Sequence, residues 1–91
     1  TAYSDQRRLK SQRAQLRRKI EQAEEACHQL EKKIQAIESQ MAADGFYQQT
    51  PREEQLQLVN QKNQLEEQLL AAMEQWEKVS LELQQSEAYA T

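Results

Sequence analysis

The chain contains one glycine, Gly45, and one proline, Pro51, and both lie in the stretch MAADGFYQQTPREE at residues 41–54. In a helix interior these residues cost about 1 and 3 kcal/mol against alanine, and no other part of the sequence carries either of them. A chain punctuated this way can form two long uninterrupted helices with one stop between them, and little else.

The apolar pattern on each side of the stop agrees. From Leu9 onward the apolar residues are Leu9, Leu16, Ile20, Ala23, Cys27, Leu30, Ile34, Ile37 and Met41. After a first step of seven, the spacing alternates fours and threes, which is a heptad seam. Arg13, Ile20, Cys27, Ile34 and Met41 take the a positions, and Arg13 is the one polar interruption. The second segment repeats the alternation at Leu58, Lys62, Leu65, Leu69, Ala72, Trp76, Val79 and Leu83. Leu56, Val59, Leu70 and Met73 lie one residue off this seam and widen it, which leaves the local frame near Leu56–Asn63 open.

The stop reads as a turn. Asp44-Gly45 suits a helix C-terminus, where glycine takes the left-handed conformation. Thr50-Pro51-Arg52-Glu53 suits a helix start, with Thr50 as cap, Pro51 in the first helical position and Glu53 closing a capping box. The expected fold is all-α, a single intramolecular antiparallel coiled-coil hairpin. It has a helix over about 4–43, a turn over about 44–50 and a helix over about 51–87, with Phe46 and Tyr47 folding over the end of the seam. A register placing residue i opposite residue 92 − i matches small with large side chains. It pairs Leu16 with Trp76, Ile20 with Ala72, Ala23 with Leu69 and Cys27 with Leu65, and it sets Lys62 opposite Leu30 with its ammonium in water. In that register Trp76 packs on Leu16 and Ile20. Arms of this length predict a rod of about 55–60 Å at ~1.5 Å per residue.

Apolar residues are 37% of the chain and charged ones 30%, enough for a seam but not for a thick globular core. No apolar run approaches the roughly 20 residues of a membrane span, and no stretch reads as a signal peptide. The chain begins at Thr1 rather than Met, and is read as a piece of a longer protein. The lone Cys27 stands where an apolar residue belongs and is expected in the core of a protein from a reducing compartment. His28 has no second ligand at helical spacing, so no metal site is expected. No glycine-rich phosphate loop is present, and Glu24-Glu25 and Glu66-Glu67 read as solvated helix surface rather than paired catalytic acids. No catalytic residue is expected in this segment.

Charge is divided unevenly. Residues 1–20 hold Arg7, Arg8, Lys10, Arg13, Arg17, Arg18 and Lys19 against Asp5, a net of +6, whereas residues 21–91 hold five basic and fourteen acidic residues, a net of −9. Helical spacing offers Arg8 to Asp5, and Arg17 and Arg18 to Glu21, while Arg7, Lys10 and Arg13 have no acid three or four residues away. Glu87 is expected near Lys10. A basic flank without acids suits contact with phosphates and needs no base-reading side chains. No aromatic residue interleaves with the cluster apart from Tyr3 at its edge, so base stacking is not expected.

Three stretches carry a family resemblance: RRLKSQRAQLRRKIEQAEEA, LEKKIQAIESQMAADGFY and QLEEQLLAAMEQWEKVSLEL. With Asp44-Gly45-Phe46-Tyr47 at the tip and Trp76-Glu77 late in the second helix, the chain resembles the C-terminal extension of ABC-F proteins of the Uup and YheS type. These are tandem-cassette ATPases without membrane domains. The resemblance implies a hairpin tethered behind two ATP-binding cassettes in a cytoplasmic, ribosome-associated protein, with ATP and Mg held only by those cassettes and no cofactor in the hairpin itself. It also implies contact with DNA or ribosomal RNA through Arg7, Arg8, Lys10, Arg13, Arg17, Arg18 and Lys19. Two other readings are a tRNA-contacting coiled-coil arm of an aminoacyl-tRNA synthetase and a protein–protein scaffold or dimerisation coiled coil. The isolated hairpin is expected to be monomeric.

Overall fold

The structure, a computed structural model, describes residues 1–89. Helix α1 spans Ala2–Ala42, a single turn α2 spans Phe46–Gln49, and helix α3 spans Arg52–Tyr89. The long helices run antiparallel side by side, so the chain forms the two-helix hairpin that the seam and its single stop imply. At 70 × 16 × 16 Å the rod is longer than expected from the sequence; the 41 residues of α1 account for about 61 Å of it, and the early start at Ala2 for only about 3 Å of the excess. Its first turn is capped by Thr1, whose hydroxyl accepts from the Ser4 N–H at 3.4 Å.

The heptad seam holds along both helices. Ala23, Ile34 and Ile37 of α1 and Val79 of α3 are buried, and every other seam position except Trp76 is half-buried. Two helices can cover each other on one side only, so half-burial is the limit for most of a seam this thin. In the stretch whose frame the sequence leaves open, Gln55, Leu58 and Lys62 face inward while Leu56 and Val59 stay exposed, so the alternation continues without slipping.

The register differs from the size-matched one by about a heptad. Arg13 meets Ser86, Glu24 meets Trp76 and Glu38 meets Lys62, so the chain reverses about Gln49 and Thr50 rather than about Phe46. Trp76 therefore stands across from the Ala23–Glu24 step, two turns away from Leu16. Lys62 does not extend alone into water opposite Leu30. Its Nζ lies 3.5 Å from Glu38 and 3.8 Å from Glu66.

The tip explains the shift. α1 stops at Ala42, with Ala43 extended, and Gly45 at φ 80°, ψ 3° lets the Phe46 N–H reach the Ala43 carbonyl at 3.1 Å. That is the third-residue geometry of a type II turn, which favours glycine. Gly45 thus opens α2 instead of capping α1 directly. Thr50 closes α2, its N–H bonded to the Phe46 carbonyl, so this N–H is not free to donate to the Glu53 carboxylate. Among the described residues neither its hydroxyl nor the Glu53 carboxylate makes a capping bond, and the expected capping box does not form. Pro51 sits one position earlier than expected, its carbonyl accepting the first bond of α3 from the Gln55 N–H. The Gln55 amide then donates back to the carbonyls of Thr50 and Tyr47, at 2.9 and 3.2 Å. Of the two tip aromatics only Phe46 is buried. Tyr47 stays in solvent and meets the Phe46 ring edge-on, with centroids 5.0 Å apart.

Candidate nucleic-acid interface

The antiparallel arrangement brings the N-terminal half of α1, with its basic cluster, beside the C-terminal half of α3. Heptad geometry then sorts the seven cations by direction. Arg13, at an a position, turns into the interface. Its Nε donates to the Ser86 hydroxyl at 3.1 Å and its Nη2 to the Ser86 carbonyl at 2.7 Å. The guanidinium is half-buried and acts as a rivet between the helices. Arg17 reaches across to Glu87 at 3.3 Å, an exposed pair. The heptad shift explains why Glu87 meets Arg17 rather than Lys10.

The other five cations, Arg7, Arg8, Lys10, Arg18 and Lys19, form no hydrogen bond or ion pair among the described residues. Arg8 does not reach Asp5, and Arg18 does not reach Glu21. On the helical wheel Lys10, Arg7 and Arg18 follow one another around the flank that Arg17 also occupies, while Arg8 and Lys19 point the other way. Two shallow recesses run along this flank. One, of about 400 Å³, is lined by Tyr3, Gln6, Arg7 and Lys10, and the next, of about 580 Å³, by Gln6, Leu9, Lys10, Arg13 and Arg17. The Tyr3 ring is 73% exposed beside Arg7. An open basic strip of this kind has the charge and access to hold phosphate oxygens.

Trp76 belongs to a different surface. It is 40% exposed, its Nε1–H donates to the Glu24 carboxylate at 3.0 Å, and with Cys27, His28, Glu31, Met73 and Glu77 it lines a recess of about 520 Å³ at mid-rod. Cys27, expected in the core, is half-buried at the floor of this recess. The sequence signal for the recess was the set of off-seam apolar residues on α3, since Leu70 and Met73 are exposed on the same side. Among the described residues no three His, Cys, Asp or Glu side chains are gathered to hold a metal ion. No helix among them is long and apolar enough to cross a membrane.

In form this is an antiparallel two-helix coiled-coil hairpin whose candidate surfaces are open recesses along the rod. The chain matches the ABC transporter C-terminal domain family over residues 2–81, and it belongs to that family. No curated protein and no solved structure is detectably similar to it.

Proposed function

We propose that the hairpin is the non-catalytic nucleic-acid-binding module of an ABC-F-type ATPase, gripping the phosphates of DNA or ribosomal RNA through the open end of the rod. The observation that carries this reading is the flank of Arg7, Lys10 and Arg18, three cations on one side of α1 with no acid among their partners. Arg8 and Lys19 add long-range attraction from the other side. Family membership favours an ABC-protein accessory domain over a synthetase arm. In this reading ATP and Mg belong to cassettes outside the chain, the protein works in the cytoplasm, and the hairpin by itself is a monomer.

The test is a salt titration of binding to duplex DNA and to a structured RNA, with wild type beside Arg7→Ala/Lys10→Ala/Arg18→Ala. Each neutralised phosphate contributes about 0.9 to the slope of log affinity against log salt on duplex DNA, so loss of three contacts should flatten the slope by roughly 2.7. An unchanged slope and affinity would reduce the basic flank to solvated surface and favour the protein–protein scaffold.

A further inference from the structure

The recess around Trp76 lies beyond the basic end and has the opposite character. Its apolar wall is Met73, Trp76 and the half-buried Cys27, and Leu70 extends that wall one turn along α3. Three carboxylates, Glu24, Glu31 and Glu77, stand around it, and no lysine or arginine is among its lining residues. Glu24 already accepts the indole N–H at 3.0 Å, which ties the partly exposed Trp76 to α1 at the edge of the seam.

We propose that this recess docks a cationic amphipathic helix of a protein partner, which lies along the groove between α1 and α3 as a third helix. The apolar stripe of that helix would rest on Trp76 and Met73, whose flexible thioether adapts to different side chains. Its lysines or arginines would meet Glu24 and Glu31 on one edge and Glu77 on the other. Glu24 and Glu31 are two turns apart, about 10.5 Å, so a partner segment of roughly three turns spans the site. A nucleic acid is disfavoured, because the carboxylates repel phosphate. A second copy of this chain is disfavoured too. The basic segment of α1 is itself amphipathic, but Leu9, Leu16 and Ile20 already lie in its own seam and become available only if the hairpin opens.

Trp76 is the chain's only tryptophan, so its emission reports on the groove directly. The probe is a synthetic helix of about 18 residues, five turns, with leucines along one stripe and lysines elsewhere. A scrambled peptide of the same composition and a version with glutamate for lysine serve as controls. The lysine helix should bind one to one and shift Trp76 emission to the blue, while both controls should fail to do so. Glu24→Gln/Glu31→Gln/Glu77→Gln should weaken binding roughly tenfold, as expected for three exposed charge pairs, with helicity by circular dichroism unchanged. Glu25→Gln/Glu67→Gln/Glu74→Gln, which removes as much charge from other faces, should leave affinity as it was. The proposal is overturned if the two triple variants lose affinity equally, or if the scrambled peptide binds as well. It is also overturned if the emission shifts with protein concentration and no peptide present, which would make a second copy the occupant.

Discussion

Replacing Arg13 with alanine separates a seam residue from a phosphate contact. The side chain supplies two cross-helix hydrogen bonds, and the shorter one, 2.7 Å to the Ser86 carbonyl, is charge-assisted and lies toward the C-terminal end of α3, where a cation is favourable. Hydrogen bonds to charged groups contribute about 1.5–3 kcal/mol when well shielded, and Arg13 is only half-buried, so water can replace part of what is lost. Arg13→Ala should therefore destabilise the hairpin by about 1–1.5 kcal/mol. For a chain of this size that lowers the melting temperature by roughly 4–10 °C. Arg13→Leu restores an apolar a position and should recover most of this, since a well-packed hydrophobic residue often replaces an interfacial charge at no net loss. Urea denaturation followed by circular dichroism gives the free energies, and a double-mutant cycle with Ser86→Ala isolates the hydroxyl bond. The same variants on duplex DNA should keep the wild-type salt slope. If Arg13→Ala melted like wild type while the slope fell by about 0.9, the Ser86 bonds would be incidental and Arg13 a phosphate ligand.

Trp76→Ala should destabilise by about 2 kcal/mol, because a 40% exposed indole has only part of its area to lose; denaturant titration measures this, and no loss or one above about 4 kcal/mol would contradict the edge position. At the tip, Phe46→Ala should cost about 3 kcal/mol in the same titration. Gly45→Ala should cost about 1–2 kcal/mol from the positive φ and not from crowding, since the Gln49 amide 3.2 Å from the new Cβ can move aside. Gly45→Asn should be milder because asparagine tolerates the left-handed conformation, and the same titration measures both. The register can be trapped by oxidation. Cys27 should form a disulfide with Ala72→Cys within one chain, seen as a monomer by light scattering. Leu65→Cys is displaced by about a heptad, roughly 10 Å along the rod in addition to the spacing between the helices, and so lies beyond the ~7 Å limit between Cα atoms.

The hairpin was legible because its two signals are local: a heptad alternation readable within each helix, and one glycine–proline stop between them. Register was not, because heptads repeat and more than one alignment puts small residues against large ones. Trp76 over Ala23 satisfies size matching as well as Trp76 over Leu16. What decides between them is the length of chain taken up by α2, and that depends on Thr50 closing a turn on Phe46 rather than opening α3. The basic cluster was likewise visible as composition, but not its division. Arg13 at an a position was the available clue that one cation belonged to the seam, whereas the partner of Arg17 depended on the register.

The two candidate surfaces share one side of α1, since Tyr3, Arg7, Lys10 and Arg17 continue along the same flank into Glu24 and Glu31. Charge therefore reverses sign lengthwise, and the question is whether the acidic groove opposes phosphate at the open end. Lys10 and Glu24 are fourteen residues apart, about 21 Å along the helix. That exceeds the Debye length of about 8 Å at physiological ionic strength but falls short of the roughly 30 Å at 0.01 M. At physiological salt the Lys10 end is screened from the groove, whereas Arg18, six residues or about 9 Å from Glu24, lies about one Debye length away, so only a weak coupling persists at that junction. At low salt the carboxylates reach the open end and weaken phosphate binding there, so a plot of log affinity against log salt should bend downward from the counterion-release line at its dilute end. The Glu24→Gln/Glu31→Gln/Glu77→Gln variant removes that opposition, and the bend should straighten with it.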